Sequence, residues 1–456
     1  MEAKTKKQMK LTSAQIIPLG FLGVIAVGTL LLLLPFSTAA GEHTSFLTAL
    51  FTSATSVCVT GLVVVDTYSH WSLFGKIVIL LLIQLGGLGI VAVSSSFLLL
   101  FKKKIFLKDR VLLRDSFNLD STQGLLKFLL RVIKGVFAVE GIGAILYAFA
   151  FIPKFGLAKG VWFSVFHSIS AFCNAGIDIL GPDSLVPFAH EPWVLIVTLL
   201  LIIVGGLGYF VWFDLSTSVM HLKKNASREN KRLAEHSRTV LLLTVFLILF
   251  GAVLVFLFEN RNPATIASFS FGEKVLHSLF QSVTFRTAGF CAVPQSNLTE
   301  ASSLLGCIWM FIGGSPMGTA GGVKTVTVFI IVLNAVSYIR NRKETLLFGR
   351  HVSSELVQKS TAIVSFSLMV TVVMVFGLLI SDRLPLVDTL YEMFSATGTV
   401  GLSRGVTQIL SPAGRILVII AMYLGRIGPI SIALFFGQDD QRKNYVRHAD
   451  GQFYVG

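Results

Sequence analysis

Charge is scarce in this chain. Asp, Glu, Lys and Arg make up 14% of its 456 residues, and apolar residues make up 54%. Soluble domains carry about 25% charged residues. With apolar runs recurring from Leu11 to Phe436, this shortage excludes a soluble enzyme and indicates a polytopic membrane protein. Cysteine is also sparse. The four cysteines are scattered with no C-x-x-C pair, so neither a thiolate metal site nor a disulfide framework is signalled. No histidine cluster has metal spacing. No G-x-S-x-G, no P-loop and no G-x-G-x-x-G after a strand occurs, so no hydrolase, NTPase or nucleotide-sensing domain is expected. No apolar run carries regularly spaced arginines, which excludes a voltage sensor.

The charge that is present is unevenly placed. The net charge of +14 does not point to nucleic acid, because the bases cluster between pairs of apolar runs. Met1–Lys10, Lys102–Arg114, Lys223–Arg238, Arg340–Lys359 and Arg442–Arg447 hold 24 of the 38 Lys and Arg residues. The positive-inside rule puts these segments, and both termini, in the cytoplasm. The opposite loops carry Glu42, Asp66, Asp178, Asp183, Glu191, Glu300 and Asp382 with few bases. A mildly acidic outer mouth favours cations, although solvated loops account for any one of these acids equally well. Leu11–Leu34 is too long for the apolar core of a signal peptide and reads as the first span.

Two marks recur along the chain. "VCVTGL", "FCNAGI", "FRTAGF" and "TGTVGL" place Gly61, Gly176, Gly289 and Gly401 at intervals of 115, 113 and 112 residues. "LGGLG", "VGGLG", "IGGSPMG" and "LGRIG" follow them, starting their glycines at Gly86, Gly205, Gly313 and Gly425. Four copies of two linked marks at one period indicate internal repetition. Each unit reads as an apolar span, a short re-entrant segment, a glycine-ended loop and a second span. The units cover 11–101, 123–222, 236–340 and 357–438, and 439–456 is a cytoplasmic tail. The first spans are Leu11–Leu34, Leu125–Ile152, Thr239–Phe258 and Thr361–Ile380. The second are Trp71–Phe101, Trp193–His221, Ser303–Tyr338 and Ala413–Gly437. The expected fold is an all-α membrane protein of four parallel M1-P-M2 repeats, with eight transmembrane helices and four re-entrant pore helices around a pseudo-fourfold central pore.

Irregular backbone at membrane depth is tolerated only where it is buried or lines a water-filled path. Four half-helices of one orientation would aim their negative C-terminal ends at the axis, which favours a cation. Extended loops would offer carbonyls in place of an ion's water shell, and glycine lets four chains approach closely. The candidate ion-binding stretches are Val57, Cys58, Val59, Thr60 and Gly61; Phe172, Cys173, Asn174, Ala175 and Gly176; Phe285, Arg286, Thr287, Ala288 and Gly289; and Thr397, Gly398, Thr399, Val400 and Gly401. Potassium would sit at their backbone carbonyls. The side chains three residues before each glycine then point away from the ion. Arg286 would tie its loop to neighbouring carbonyls or an acid, and Asn174 and Thr287 would brace theirs. Glu140, the lone acid of its span, reads equally as a functional group or as a carboxylate bonded to loop backbone or to Arg286.

The third repeat is unusual. Ser303–Tyr338 as one helix would measure about 54 Å against a core of about 30 Å. It contains Gly313, Gly314, Ser315, Pro316, Gly318, Thr319, Ala320, Gly321, Gly322 and Lys324. A break leaving a small-residue loop, 313–325, is expected. Arg426 takes the place held by Gly87, Gly206 and Gly314 in the other repeats. It is expected to meet carbonyls freed by that break and to hold the loop closed.

The four loop motifs, with "FRTAGF" and "GGSPMGTAGGVKT", resemble the Trk/Ktr/HKT superfamily of potassium transporters. The compact eight-span length is most similar to its KtrB branch, and the resemblance covers nearly the whole chain. It implies potassium-selective, sodium-stimulated uptake across the cell membrane, with the loop of the third inner helix as gate. It implies potassium as the transported ion, sodium as an activator and no cofactor in this chain. It also implies a homodimer in membrane lipids, controlled by a cytosolic nucleotide-binding ring subunit of the KtrA/KtrC type. In related plant proteins a serine at the first filter position goes with sodium preference, so Gly61 points to potassium. Ile177 departs from the family's usual Phe. The rival reading, a secondary cation symporter with alternating access, is usually built from inverted repeats. Here every basic end falls on one side.

Overall fold

A computed structural model describes residues 13–89, 125–223, 233–342 and 344–428. The basic clusters at 1–10 and 102–114, the C-terminal parts of the first and fourth inner spans and the tail 439–456 lie outside the described residues. Among the described residues, four helices are long and apolar enough to cross a membrane: α1 (Ser13–Leu32), α4 (Leu125–Phe155), α8 (Glu235–Glu259) and α12 (Ser354–Asp382). Many of their large side chains face outward. Leu22 and Leu30, Ile142 and Phe149, Phe246 and Leu257, and Val373 and Phe376 are all exposed. Their buried faces combine large apolar side chains such as Phe21, Leu129 and Phe151 with small or polar ones such as Thr29, Thr244 and Thr371, the latter being common where helices approach closely within lipid.

A shorter helix follows each outer one: α2 (Phe46–Cys58), α5 (Leu157–Phe172), α9 (Phe271–Thr284) and α13 (Leu386–Gly398). Local chemistry sets their starts. Ser45 Oγ accepts from Thr48 N, and Ser270 with Glu273 makes a reciprocal capping box. A repeated hydrogen bond ties short helix to long. Ser53 Oγ donates to Ile25 O at 2.7 Å, Ser168 Oγ to Glu140 O at 2.6 Å and Ser282 Oγ to Ile248 O at 2.9 Å. The fourth unit instead joins Thr371 Oγ1 to Thr397 Oγ1 at 3.0 Å.

The inner helices are α3 (Leu73–Leu88), α6 (Pro192–Gly206) continued by α7 (Tyr209–Lys223), α10 (Glu300–Phe311) continued by α11 (Thr325–Ile339), and α14 (Pro412–Ile427). None of these pieces alone is a full span. The sequence reading expected one break, in the third repeat, but the second inner span also bends, by 95°. The cause is the last glycine of "VGGLG": Gly208 has φ +90, a left-handed conformation that ends an α-helix. Gly89 and Gly428 close α3 and α14 in the same way, at φ +85 and +83. A two-residue hairpin, Leu346–Leu347 with Arg350–His351, lies between the third and fourth units.

Candidate functional site

The four short helices end at four loops that meet. Two residues before each glycine the chain turns left-handed, at Val59, Asn174, Thr287 and Thr399. The backbone N–H just before the glycine then folds back onto the helix: Thr60 N donates to Thr55 O, Ala175 N to Ser170 O, Ala288 N to Thr284 O and Val400 N to Ser395 O. The glycines adopt φ +99, +64, +80 and +97, and each faces the next unit. A Cβ on Gly61 would lie 2.4 Å from Ala175 O and 3.2 Å from Gly401 Cα. One on Gly176 would lie 2.6 Å from Gly289 Cα, and one on Gly289 2.6 Å from Val400 O. One on Gly401 would lie 2.2 Å from Thr60 O. The contacts close a ring, and carbonyl oxygens occupy the space that side chains would need.

Hydroxyls hold the loops from behind. Thr55 Oγ1 and Ser395 Oγ accept from Gly61 N and Gly401 N, each at 3.0 Å. Ser170 Oγ donates to Ile177 O and Thr284 Oγ1 to Phe290 O. The sequence reading missed these four residues. Their signal was a Ser or Thr five or six positions before every glycine. Thr60, Thr287 and Thr399 keep buried hydroxyl oxygens without a partner. The junction is therefore rich in oxygen and, among the described residues, holds no cluster of three His, Cys, Asp or Glu side chains able to ligate a metal. Such chemistry suits a hard monovalent cation passing over carbonyls rather than a tightly ligated one.

The loop after α10 lies against the C-terminal ends of the short helices. Ile312 bridges to Val323, and Gly313 N donates to Val323 O at 2.9 Å. Its tip docks on the broken end of α6: Ser315 N donates to Gly206 O and Thr319 N to Gly205 O, while Tyr209 N donates to Met317 O. Thr319 Oγ1 reaches Phe172 O, the last residue of α5, at 3.0 Å. On the opposite side a Cβ on Gly321 would overlap Thr399 Oγ1. Lys324 Nζ donates to Ala320 O at 2.7 Å within the loop. Arg426 Nη1 donates to Thr319 O at 2.8 Å and Nη2 to Gly86 O, so one guanidinium joins the loop to the first unit.

Other expectations fare differently. Glu140 bonds neither loop backbone nor Arg286 through its carboxylate. It accepts two hydrogen bonds from Gln84 Nε2, at 3.0 and 3.1 Å, and Cys173 Sγ lies 3.9 Å away. Arg286 makes no hydrogen bond or ion pair with any described residue. Several outer acids are spent on structure: Asp66 caps a helical turn, Glu191 pairs with Lys154, and Asp382 accepts from Ser411 N at 2.6 Å. Asp178, just after Gly176, is different. Burial, and then the charges of Asp66 and Asp183, push its carboxyl up to about 7.

A ring of carbonyls at the ends of four short helices, with a loop packed against them and long apolar helices around, is the frame of a membrane protein suited to cations. The comparisons supply the family. Residues 5–446 match the family model described as TrkH, cation transport protein, and the chain belongs to that family. It is 36% identical over 433 residues to the potassium/sodium uptake protein NtpJ of Enterococcus hirae, covering 94% of each chain. It is 35% identical over 453 residues to the Ktr system potassium uptake protein B of Bacillus subtilis, covering 99% of each. Among solved structures, the potassium transporter TrkH from Vibrio parahaemolyticus superposes with a TM-score of 0.75 at 16% identity, over 95% of this chain and 86% of that one. The last match speaks to fold alone. The family is the one that the loop motifs resemble.

Proposed function

We propose that the chain is a potassium uptake pathway in the cell membrane. Its four parallel repeats surround one pore, and the ring at Gly61, Gly176, Gly289 and Gly401 is the selectivity filter. The observation that carries this reading is the mutual approach of the four glycines, each against a neighbour's carbonyl. A potassium ion entering from the acidic outer loops exchanges its water shell for those carbonyls. The C-terminal dipoles of α2, α5, α9 and α13 stabilise its charge. The 313–325 loop is the gate, its docked position the closed one, and Arg426 is its latch.

The names of the relatives support finer steps. One is called a potassium/sodium uptake protein, which fits sodium as an activator. Others are parts of a "Ktr system", which fits a homodimer on a cytosolic nucleotide-binding ring that releases the loop. The test is flux in liposomes with potassium, rubidium, sodium and lithium compared. Potassium and rubidium should pass and sodium and lithium should be excluded. Equal flux of all four would end the filter reading.

A further inference from the structure

Arg286 belongs to the third loop, three residues before Gly289. It lines a small cavity of about 20 Å³ with Thr244 and Ile248 of α8, Gly206 of α6, Asn174 and Gly314. The residue is 8% exposed. Its Nε is shielded from solvent without a partner, and no described residue takes a hydrogen bond from its guanidinium or offers it a carboxylate. Across the cavity the Thr244 hydroxyl is also buried and unpartnered. Asn174 supplies no counter-charge. In the orientation that satisfies its amide, the nitrogen donates to Ala171 O and Ile202 O at 3.1 and 3.3 Å. Two half-buried arginines differ, since Arg404 pairs with Asp388 and Arg426 with two carbonyls.

A guanidinium keeps its proton in any protein, and a buried charge without a partner is strongly unfavourable. Here two sets of donors converge on one space that holds no carboxylate. A single water needs about 10–15 Å³, so the cavity admits a monatomic ion and excludes a phosphate or a lipid headgroup. We infer that this cavity binds one halide ion, chloride in the cell, as the counter-charge of Arg286. The halide bridges the third loop to α8 and fixes the loop from behind, away from the cation path.

The test uses the purified full-length protein in detergent, with potassium gluconate exchanged for potassium chloride or bromide at constant ionic strength. The wild-type melting temperature should rise saturably with halide, by about 3 °C at a hundredfold excess over the dissociation constant. The melting temperature of Arg286→Met should not respond. Crystals grown in bromide should show an anomalous peak beside the Arg286 guanidinium. Identical wild-type melting in gluconate, chloride and bromide, or a bromide-grown crystal with water alone in the cavity, overturns the proposal. Should Arg286→Met fail to fold, the wild-type titration and the bromide peak still decide. Neither readout depends on potassium flux, so the uptake reading and this one can fail separately.

Discussion

Replacing Arg426 by alanine should open the gate. The Arg426 guanidinium donates to Thr319 O in the loop and to Gly86 O in the first unit. A hydrogen bond from a charged donor is worth about 1.5–3 kcal/mol. Only the bond to Thr319 distinguishes a docked loop from a displaced one. Its loss shifts the closed-to-open equilibrium by that amount, roughly 10- to 150-fold. The loop keeps its backbone bonds to Gly205, Gly206 and Tyr209, so the protein stays folded and the gate is weakened rather than abolished. The same change removes a positive charge from below the filter, which lowers the barrier to a cation further. Rubidium uptake into potassium-loaded liposomes, at low driving force and without a regulatory subunit, should rise at least roughly tenfold. The potassium-to-sodium ratio should stay at its wild-type value. Arg426→Lys should fall between the two, because an ammonium lacks the planar fork that reaches both carbonyls. Wild-type flux and regulation in Arg426→Ala would refute the latch.

Gly61→Ser places a side chain at φ +99 and 2.4 Å from Ala175 O, adding about 1–2 kcal/mol of left-handed strain. The potassium-to-sodium permeability ratio should fall roughly tenfold, and unchanged ratios in the Gly→Ser variants at all four positions would refute the filter. Deleting Thr319–Gly322 should raise flux and loosen its dependence on any regulatory partner; zero flux in a protein that still binds that partner would make the loop structural. Thr55→Val leaves Gly61 N without its acceptor and should cost about 1–3 kcal/mol, read as a lower melting temperature with weakened selectivity. Asp178 is neutral below about pH 7 and charged above it, so cation uptake should rise as external pH passes upward through 7. Asp178→Asn should hold uptake at the low-pH level at every pH.

The ring of glycines was legible because four copies of one short motif stood at one period, and a positive φ leaves few residues other than glycine. The outer helices were legible from their apolar length, to within a few residues at most ends. The bend after Gly206 was not, because "VGGLG" in an apolar run looks like ordinary close packing. Gly208 ends α6, and the loop whose backbone donors satisfy its terminal carbonyls lies more than a hundred residues later in the chain. The isolation of Arg286 was equally hidden. Composition says that a buried arginine needs a partner, but only the fold shows that no described carboxylate reaches it. Glu140 stood out as the lone acid of its span, yet its partner, Gln84, sits in another repeat and carries no motif.

The docking of the loop on α6 also governs wetting. While the loop is in place, the terminal carbonyls of Gly205 and Gly206 are satisfied by protein. Once it leaves, those oxygens have only water to turn to. If the loop is the gate proposed above, its opening is a hydration event as much as a movement. A partner that pulls on the loop need not pull it far, because water drawn to two helix-end carbonyls resists its return.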